Sequence, residues 1–165
     1  EVKTVGEMKG KRVSESSLSV AHFMEPQDAN IAGNVHGGVI MKHIDTIAGM
    51  VAFRHARANV VTASIQRLDF FSPVYIGNLL KLAASVNMVN RTSLEVGVRV
   101  ESEDLYTGEN RHTASAYLTF VALDENHAPK QVPPLILETD EQKHRNRQAH
   151  ERRQGCAVMD ASQER

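Results

Sequence analysis

A chain of 165 residues, with 19 Lys and Arg against 20 Asp and Glu, has a net charge of −1 and room for one domain plus tails. That balance supplies no bulk basicity, so nucleic acid is not expected as a partner, and the lone Cys156, in a polar tail, offers neither a disulfide framework nor a thiolate metal site. His22, His36, His43, His55, His112 and His127 never fall at metal-ligand spacing on one element, and no stretch reads as a membrane span or a secretory signal; no metal, no membrane and a cytoplasmic location are expected.

Residues 1–16 are polar and charged and are expected as a flexible lead-in, too short for a helix-turn-helix. Leu18, Val20, His22 and Met24 alternate with Ser17, Ser19, Ala21 and Phe23, the period of a strand, which Pro26 ends. A polar, Gly-broken loop then runs to Gly37-Gly38. From Val39 to about His55 the chain reads as one long helix, with Ile40, Ile44, Ile47, Ala48 and Val51 along one face. A helix this apolar is expected to be buried. Asp45 within it must then be paired, hydrogen-bonded or shifted in pKa. Backbone N–H groups left free at the Gly37-Gly38 start would favour an anion. Such donors near a candidate base suit a site that stabilises negative charge on a carbonyl oxygen.

The remainder changes period. Val60 to Phe70 is rich in β-branched residues and stops at Ser72-Pro73. Leu80 to Met88 alternates, and Asn90-Arg91-Thr92 turns into Leu94, Val96, Val98 and Val100, set against Glu95, Gly97, Arg99 and Glu101 as a half-buried strand. After a turn at Thr107 to Asn110, Thr113 to Leu123 forms another strand, and prolines at 129, 133 and 134 close the sheet region. Thr139-Asp140-Glu141-Gln142 fits a capping box, so a polar helix is expected to about Arg153, its basic residues facing solvent. Residues 17–137 thus form the domain and 138–165 a polar C-terminal helix and tail. The class is α+β, a long helix packed on an antiparallel sheet. One helix covers one face of the sheet, so the other face and the edges call for self-association.

Four stretches together resemble the hot-dog fold acyl-coenzyme A thioesterases, in particular the cytosolic acyl-CoA hydrolase group. They are Pro26-x-Asp28-Ala29-Asn30-x-x-Gly33-Asn34-x-His36-Gly37-Gly38, Met41-Lys42-x-x-Asp45-x-x-Ala48-Gly49, Asn59 to Ser64, and Phe70-x-x-Pro73. The resemblance spans about Ser17 to Pro134. It implies a central helix wrapped by the sheet and two protomers paired edge to edge, commonly assembled further as a hexamer, a trimer of dimers. It further implies acyl-CoA as substrate, no cofactor, and two catalytic positions, Asn34 and Asp45, which a homodimer would contribute from opposite subunits.

Thioester hydrolysis requires an attacking water and a place for the oxyanion. Asp45 suits a general base, or as the less favoured route a nucleophile; otherwise it is a carboxylate that caps or pairs across a dimer. Asn34 would hold the water or the thioester oxygen, unless it is simply a turn residue. Gly37 and Gly38 would lend backbone N–H groups to the oxyanion. His36 is expected to shape the loop by a local hydrogen bond rather than to act as a catalytic imidazole. Thr62 and Ser64 would line the site or contact the substrate, or else be ordinary sheet hydroxyls. For the phosphates of coenzyme A the best candidates are Arg91, Thr92 and Ser93, ahead of Arg67, Lys81, Lys143, Arg145 and Arg147. Two other functions compete: a hot-dog hydratase or dehydratase, which needs a catalytic histidine, and a non-catalytic acyl-CoA sensor, which normally needs an attached DNA-binding module.

Overall fold

The computed structural model describes residues 8–163, with side chains through 155. Its elements are β1 (Lys11–Arg12), β2 (Leu18–Phe23), α1 (Gly37–Ala56), β3 (Asn59–Phe70), β4 (Leu79–Val89), β5 (Ser93–Glu103), β6 (Asn110–Leu123), β7 (Leu135–Ile136) and α2 (Asp140–Gln163). Five antiparallel strands make one sheet in the order β2-β4-β5-β6-β3. Even-numbered apolar residues of β4, β5 and β6 (Leu82, Val96, Val98, Leu118 and Phe120 among them) face α1 and bury the stripe Ile40, Ile44, Ile47, Ala48, Val51 and Ala52. Strand period on one side and helix period on the other therefore meet in one core, the hot-dog arrangement of a sheet curled around a helix.

The opposite face departs from the sequence reading. Glu95, expected on a solvated face, is fully buried, because α2 lies over it. This helix is held by polar anchors rather than an apolar stripe. Arg152 forks onto Glu95 at 2.7 and 3.2 Å and its guanidinium stands 3.6 Å above the Tyr117 ring. Asn146 donates to the Asn87 carbonyl at 2.8 Å, and Ala149 is the buried contact between them. Asn87 in turn donates to Glu95 at 3.1 Å and lies across Gly97, where a Cβ would come within 2.6 Å of its Nδ2. The capping box forms as expected, Gln142 N–H donating to Thr139 Oγ1 at 3.1 Å, and α2 continues to Gln163, beyond the expected end near Arg153.

The lead-in also differs. Residues 1–7 and the side chain of Cys156 lie outside the described residues. From Lys11, however, the segment expected to be flexible is packed: β1 runs parallel to β7, and Val13 and Ser16 are buried. The last turn of α1 explains this, since its carbonyls need donors. Lys11 Nζ donates to the carbonyls of His55 (2.8 Å) and Arg54 (3.3 Å), and Arg54 donates back to the Ser17 carbonyl at 3.1 Å.

His55, in the same turn, is fully buried and its Nε2–H donates to the Pro133 carbonyl at 2.9 Å, while Nδ1 has no partner among the described residues. Burial holds this imidazole below its ordinary value, and the Lys11 ammonium acts in the same direction. His43 is lowered too, first by burial and then by His22, whose ring stacks on it at 4.1 Å. Both groups resist in the folded chain a proton that the unfolded chain takes up near pH 6.5. Their contribution is complete above that pH and is lost as the pH falls through the folded-state values. The melting temperature is therefore expected to drop between pH 7 and pH 5, and His55→Gln, which keeps a donor for Pro133 without a titrating ring, to flatten that slope. A slope unchanged in His55→Gln would assign the acid sensitivity elsewhere.

Candidate active site

The loop before α1 is tied by its own asparagine. Asn30 Oδ1 accepts from the N–H groups of Ala32 (2.9 Å) and Asn34 (3.2 Å), and Asn30 N–H donates to the Asn34 carbonyl at 2.7 Å. Gly33 closes the turn at φ +85°, where a side chain would be strained. At 2.8 Å each, Val35 N–H donates to the Val74 carbonyl and His36 N–H to the Asp28 carbonyl. Asn34 is thereby fixed beside Tyr75, half-buried, and its side-chain amide has no hydrogen-bond partner among the described residues.

His36 is the N-cap of α1. Its Nδ1 accepts from Gly38 N–H at 2.9 Å, which places the ring hydrogen of the neutral tautomer on Nε2. The expected local role of His36 is thus realised, and it alters the role of Gly38. That N–H, expected to be free for an oxyanion, is already engaged by the cap; Gly37 N–H has no partner among the described residues. Ser, Thr, Asp and Asn are the usual capping residues, so a histidine cap carries no ordinary sequence signal.

Asp45 is also not where the apolar sequence around it suggests. It is exposed in the single chain, on a face shared with Met41, Lys42, Thr46, Met50 and Phe53. The helix is apolar on more than its core stripe, and that surplus misdirects the reading of burial. Its partner is Thr62, whose Oγ1 donates to Asp45 Oδ1 at 2.8 Å. A bulge prepares this contact: Thr62 pairs with Phe120 and Ser64 with Thr119, leaving Ala63 unmatched on β3. Ser64 stays exposed and does not join the pair. The whole run from Val61 to Ile65 is exposed, with Val61 at 43% and Ile65 at 44%, on a strand that among the described residues pairs with β6 alone.

The structure joins Asp45 to Thr62, while Asn34 lies three residues before Gly37, the first residue of α1. Gly37 and Asp45 are eight residues apart on α1, about 12 Å of helix axis. A cavity of about 540 Å³ lies elsewhere, between the outer face of the sheet and α2, with Ser85, Arg99, Tyr117 and Arg145 in its lining. Arg91 and Thr92 lie in the β4–β5 turn and Ser93 begins β5; their carbonyls accept from Val132, Ala122 and Asn90 at 2.8 to 3.0 Å, and the Arg91 side chain is exposed with no ion-pair partner among the described residues. The weaker cation candidates are mostly matched: Arg67 pairs with Asp69, Lys81 with Glu103, Lys143 with Asp140 and Arg145 with Glu141. Arg147 is exposed on α2.

Residues 32–109 match the Thioesterase superfamily. The chain is 40% identical over 128 residues to an uncharacterized acyl-CoA thioester hydrolase of Bacillus subtilis (strain 168), covering 78% of this chain and 74% of that one. It is 35% identical over 135 residues to the cytosolic acyl coenzyme A thioester hydrolase of Mus musculus, matching 81% of this chain to 35% of the relative. It spans about a third of the length of the mammalian relatives of that name. Among solved structures, an apo-hexameric acyl-CoA thioesterase superposes at a TM-score of 0.90 with 38% identity, over 93% of this chain and 99% of that one. An acyl-CoA hydrolase from Staphylococcus aureus, in complex with butyryl-CoA, CoA and CoA disulfide, superposes at 0.84 with 36% identity, over 93% and 94%. The acyl-CoA hydrolase of that organism has also been solved with an aspartate, an asparagine or a threonine replaced by alanine. By sequence and fold together, the chain belongs to the acyl-CoA thioester hydrolases of the thioesterase superfamily, with the hot-dog fold.

Proposed function

We propose that the protein hydrolyses fatty acyl-CoA to free fatty acid and CoA, at sites shared between the subunits of a homodimer. The observation that carries this reading is the Asp45–Thr62 pair, exposed on α1 beside the unpaired edge of β3. Thr62 occupies one carboxylate oxygen and orients the other, which accepts a proton from the attacking water. The water oxygen then bonds to the thioester carbonyl carbon. Collapse of the tetrahedral intermediate breaks the C–S bond, and the CoA sulfur leaves with the proton that Asp45 received. Asn34 and the free N–H of Gly37, both at the start of α1, polarise the carbonyl oxygen; one such donor contributes roughly 3 kcal/mol in the transition state. Because about 12 Å of helix separates that end from Asp45, the second subunit supplies it. The alanine variants of Asp, Asn and Thr made in the S. aureus enzyme match these three residue types and support the assignment.

Arg91, with the hydroxyls of Thr92 and Ser93, receives the phosphates of coenzyme A. The exposed run of β3 pairs with its symmetry mate, and the hexameric relative supports further assembly as a trimer of dimers. No cofactor is required, since CoA is part of the substrate. A cytoplasmic location follows from the cytosolic relatives; among the described residues no helix is long and apolar enough to cross a membrane.

Three measurements test this reading. Asp45→Asn keeps the size and the bond from Thr62, so folding and CoA binding should persist while turnover of acyl-CoA falls about a hundredfold or more. Near-parental turnover would make Asp45 structural. Asn34→Ala and Asp45→Ala subunits, each inactive alone, should regain activity when dissociated and reassembled together, because one hybrid site in a mixed dimer is intact. Mass-confirmed heterodimers that stay inactive would place both residues in one subunit. His36→Ala removes a helix cap and should cost about 1 kcal/mol of stability, with turnover kept within about tenfold. A loss as deep as that of Asp45→Asn would instead favour the hydratase or dehydratase reading, in which the imidazole acts on the substrate.

A further inference from the structure

Gly49 stands one helical turn beyond Asp45 on the same line of α1, and Phe53 follows one turn later. Glycine in the middle of a helix is unfavourable relative to alanine. The packing of this chain does not require it. A Cβ at Gly49 would meet nothing nearer than Phe120 Cε1 at 3.7 Å, an ordinary van der Waals contact. The bare backbone therefore accommodates something outside the chain. Helical side chains lean toward the N-terminus, so any side chain at 49 would project over the turn that carries Asp45. By the same rule Phe53, 51% exposed, leans back over the strip that Gly49 leaves open, and Met50, 42% exposed, flanks it.

We infer that Gly49 and Phe53 set acyl-chain selectivity: the alkyl chain of the bound thioester lies along α1 from Asp45 over Gly49, and Phe53 closes the far end. The inference rests on Asp45 being the base of the hydrolysis. An alkyl chain is the occupant that the strip selects. Its surroundings are apolar: Met50 and Phe53 are exposed beside it, Phe120 Cε1 lies 3.7 Å from where a Cβ at Gly49 would stand, and no charged side chain occurs from Gly49 to Phe53, one turn along the helix from Asp45.

The test measures kcat/KM on acetyl-, butyryl-, lauroyl- and palmitoyl-CoA for the parent, Gly49→Ala, Gly49→Val and Phe53→Ala, with oligomer size followed by light scattering. Gly49→Val should depress the long chains about tenfold or more relative to butyryl-CoA, the scale of a small steric change in an apolar pocket. Gly49→Ala, which favours helix, should show the same ordering more weakly and so separates selectivity from misfolding. Phe53→Ala should move the optimum toward longer chains. Equal losses at every length, or dissociation of the oligomer by Gly49→Ala, would overturn the inference and make Gly49 a packing residue between copies. A parent inactive on all four thioesters would overturn the hydrolase reading itself, and this inference with it.

Discussion

Burial of the aliphatic stripe of α1 against the sheet fixes the rotation of that helix, and the candidate functional positions follow from the rotation. With Ile40, Ile44, Ile47 and Val51 turned to the core, Asp45 can only point outward, together with Met41, Gly49 and Phe53. A change of register by one residue would bury a carboxylate without compensation, a cost far above that of losing a surface contact. The helix is also fixed at both ends. His36 caps its first turn, and Lys11 with the buried His55 ties its last turn to the N-terminal segment and to Pro133. Asp45 thus sits on a rigid rod rather than on a loop, which suits the role of base proposed for it.

The outer face of the sheet is organised by a different physics. No apolar stripe attaches α2; a buried carboxylate does. Glu95 is sealed from water and its carboxylate is met by the Arg152 fork and the Asn87 amide, so removing Arg152 would leave a desolvated charge without its counter-charge. The geometry also demands Gly97, because Asn87 occupies the space where its Cβ would be. This arrangement specifies where α2 lies more than it stabilises the fold, since a buried ion pair gains little over well-packed apolar side chains.

In the proposed function a single chain carries two half-sites. The start of α1 offers Asn34 and the Gly37 N–H; its middle offers Asp45 and Thr62; the length of helix between them keeps them apart. The exposed run Val61 to Ile65 lies on an edge strand next to the second half-site, and both the apolar side chains and the unsatisfied backbone there suit pairing with another strand. Assembly and catalysis are linked in this reading: the surface that must be covered is the one that completes the chemistry.

Residue patterns by themselves determined the class of fold. Period-two alternation in β4, β5 and β6 and the helical stripe of α1 each depend on local chain geometry, so they are legible without the third dimension. The grouped motifs around Asn34 and Asp45 likewise marked the family and the residues to watch. The outward direction of Asp45, the engagement of Gly38 by His36, the Thr62 contact made by a bulge, and the burial of Glu95 under α2 were decided only by tertiary structure. Each depends on a neighbour distant in sequence or on a cap outside the usual residue set. Sequence periodicity reports which side of an element is apolar; it does not report what other element arrives to cover it.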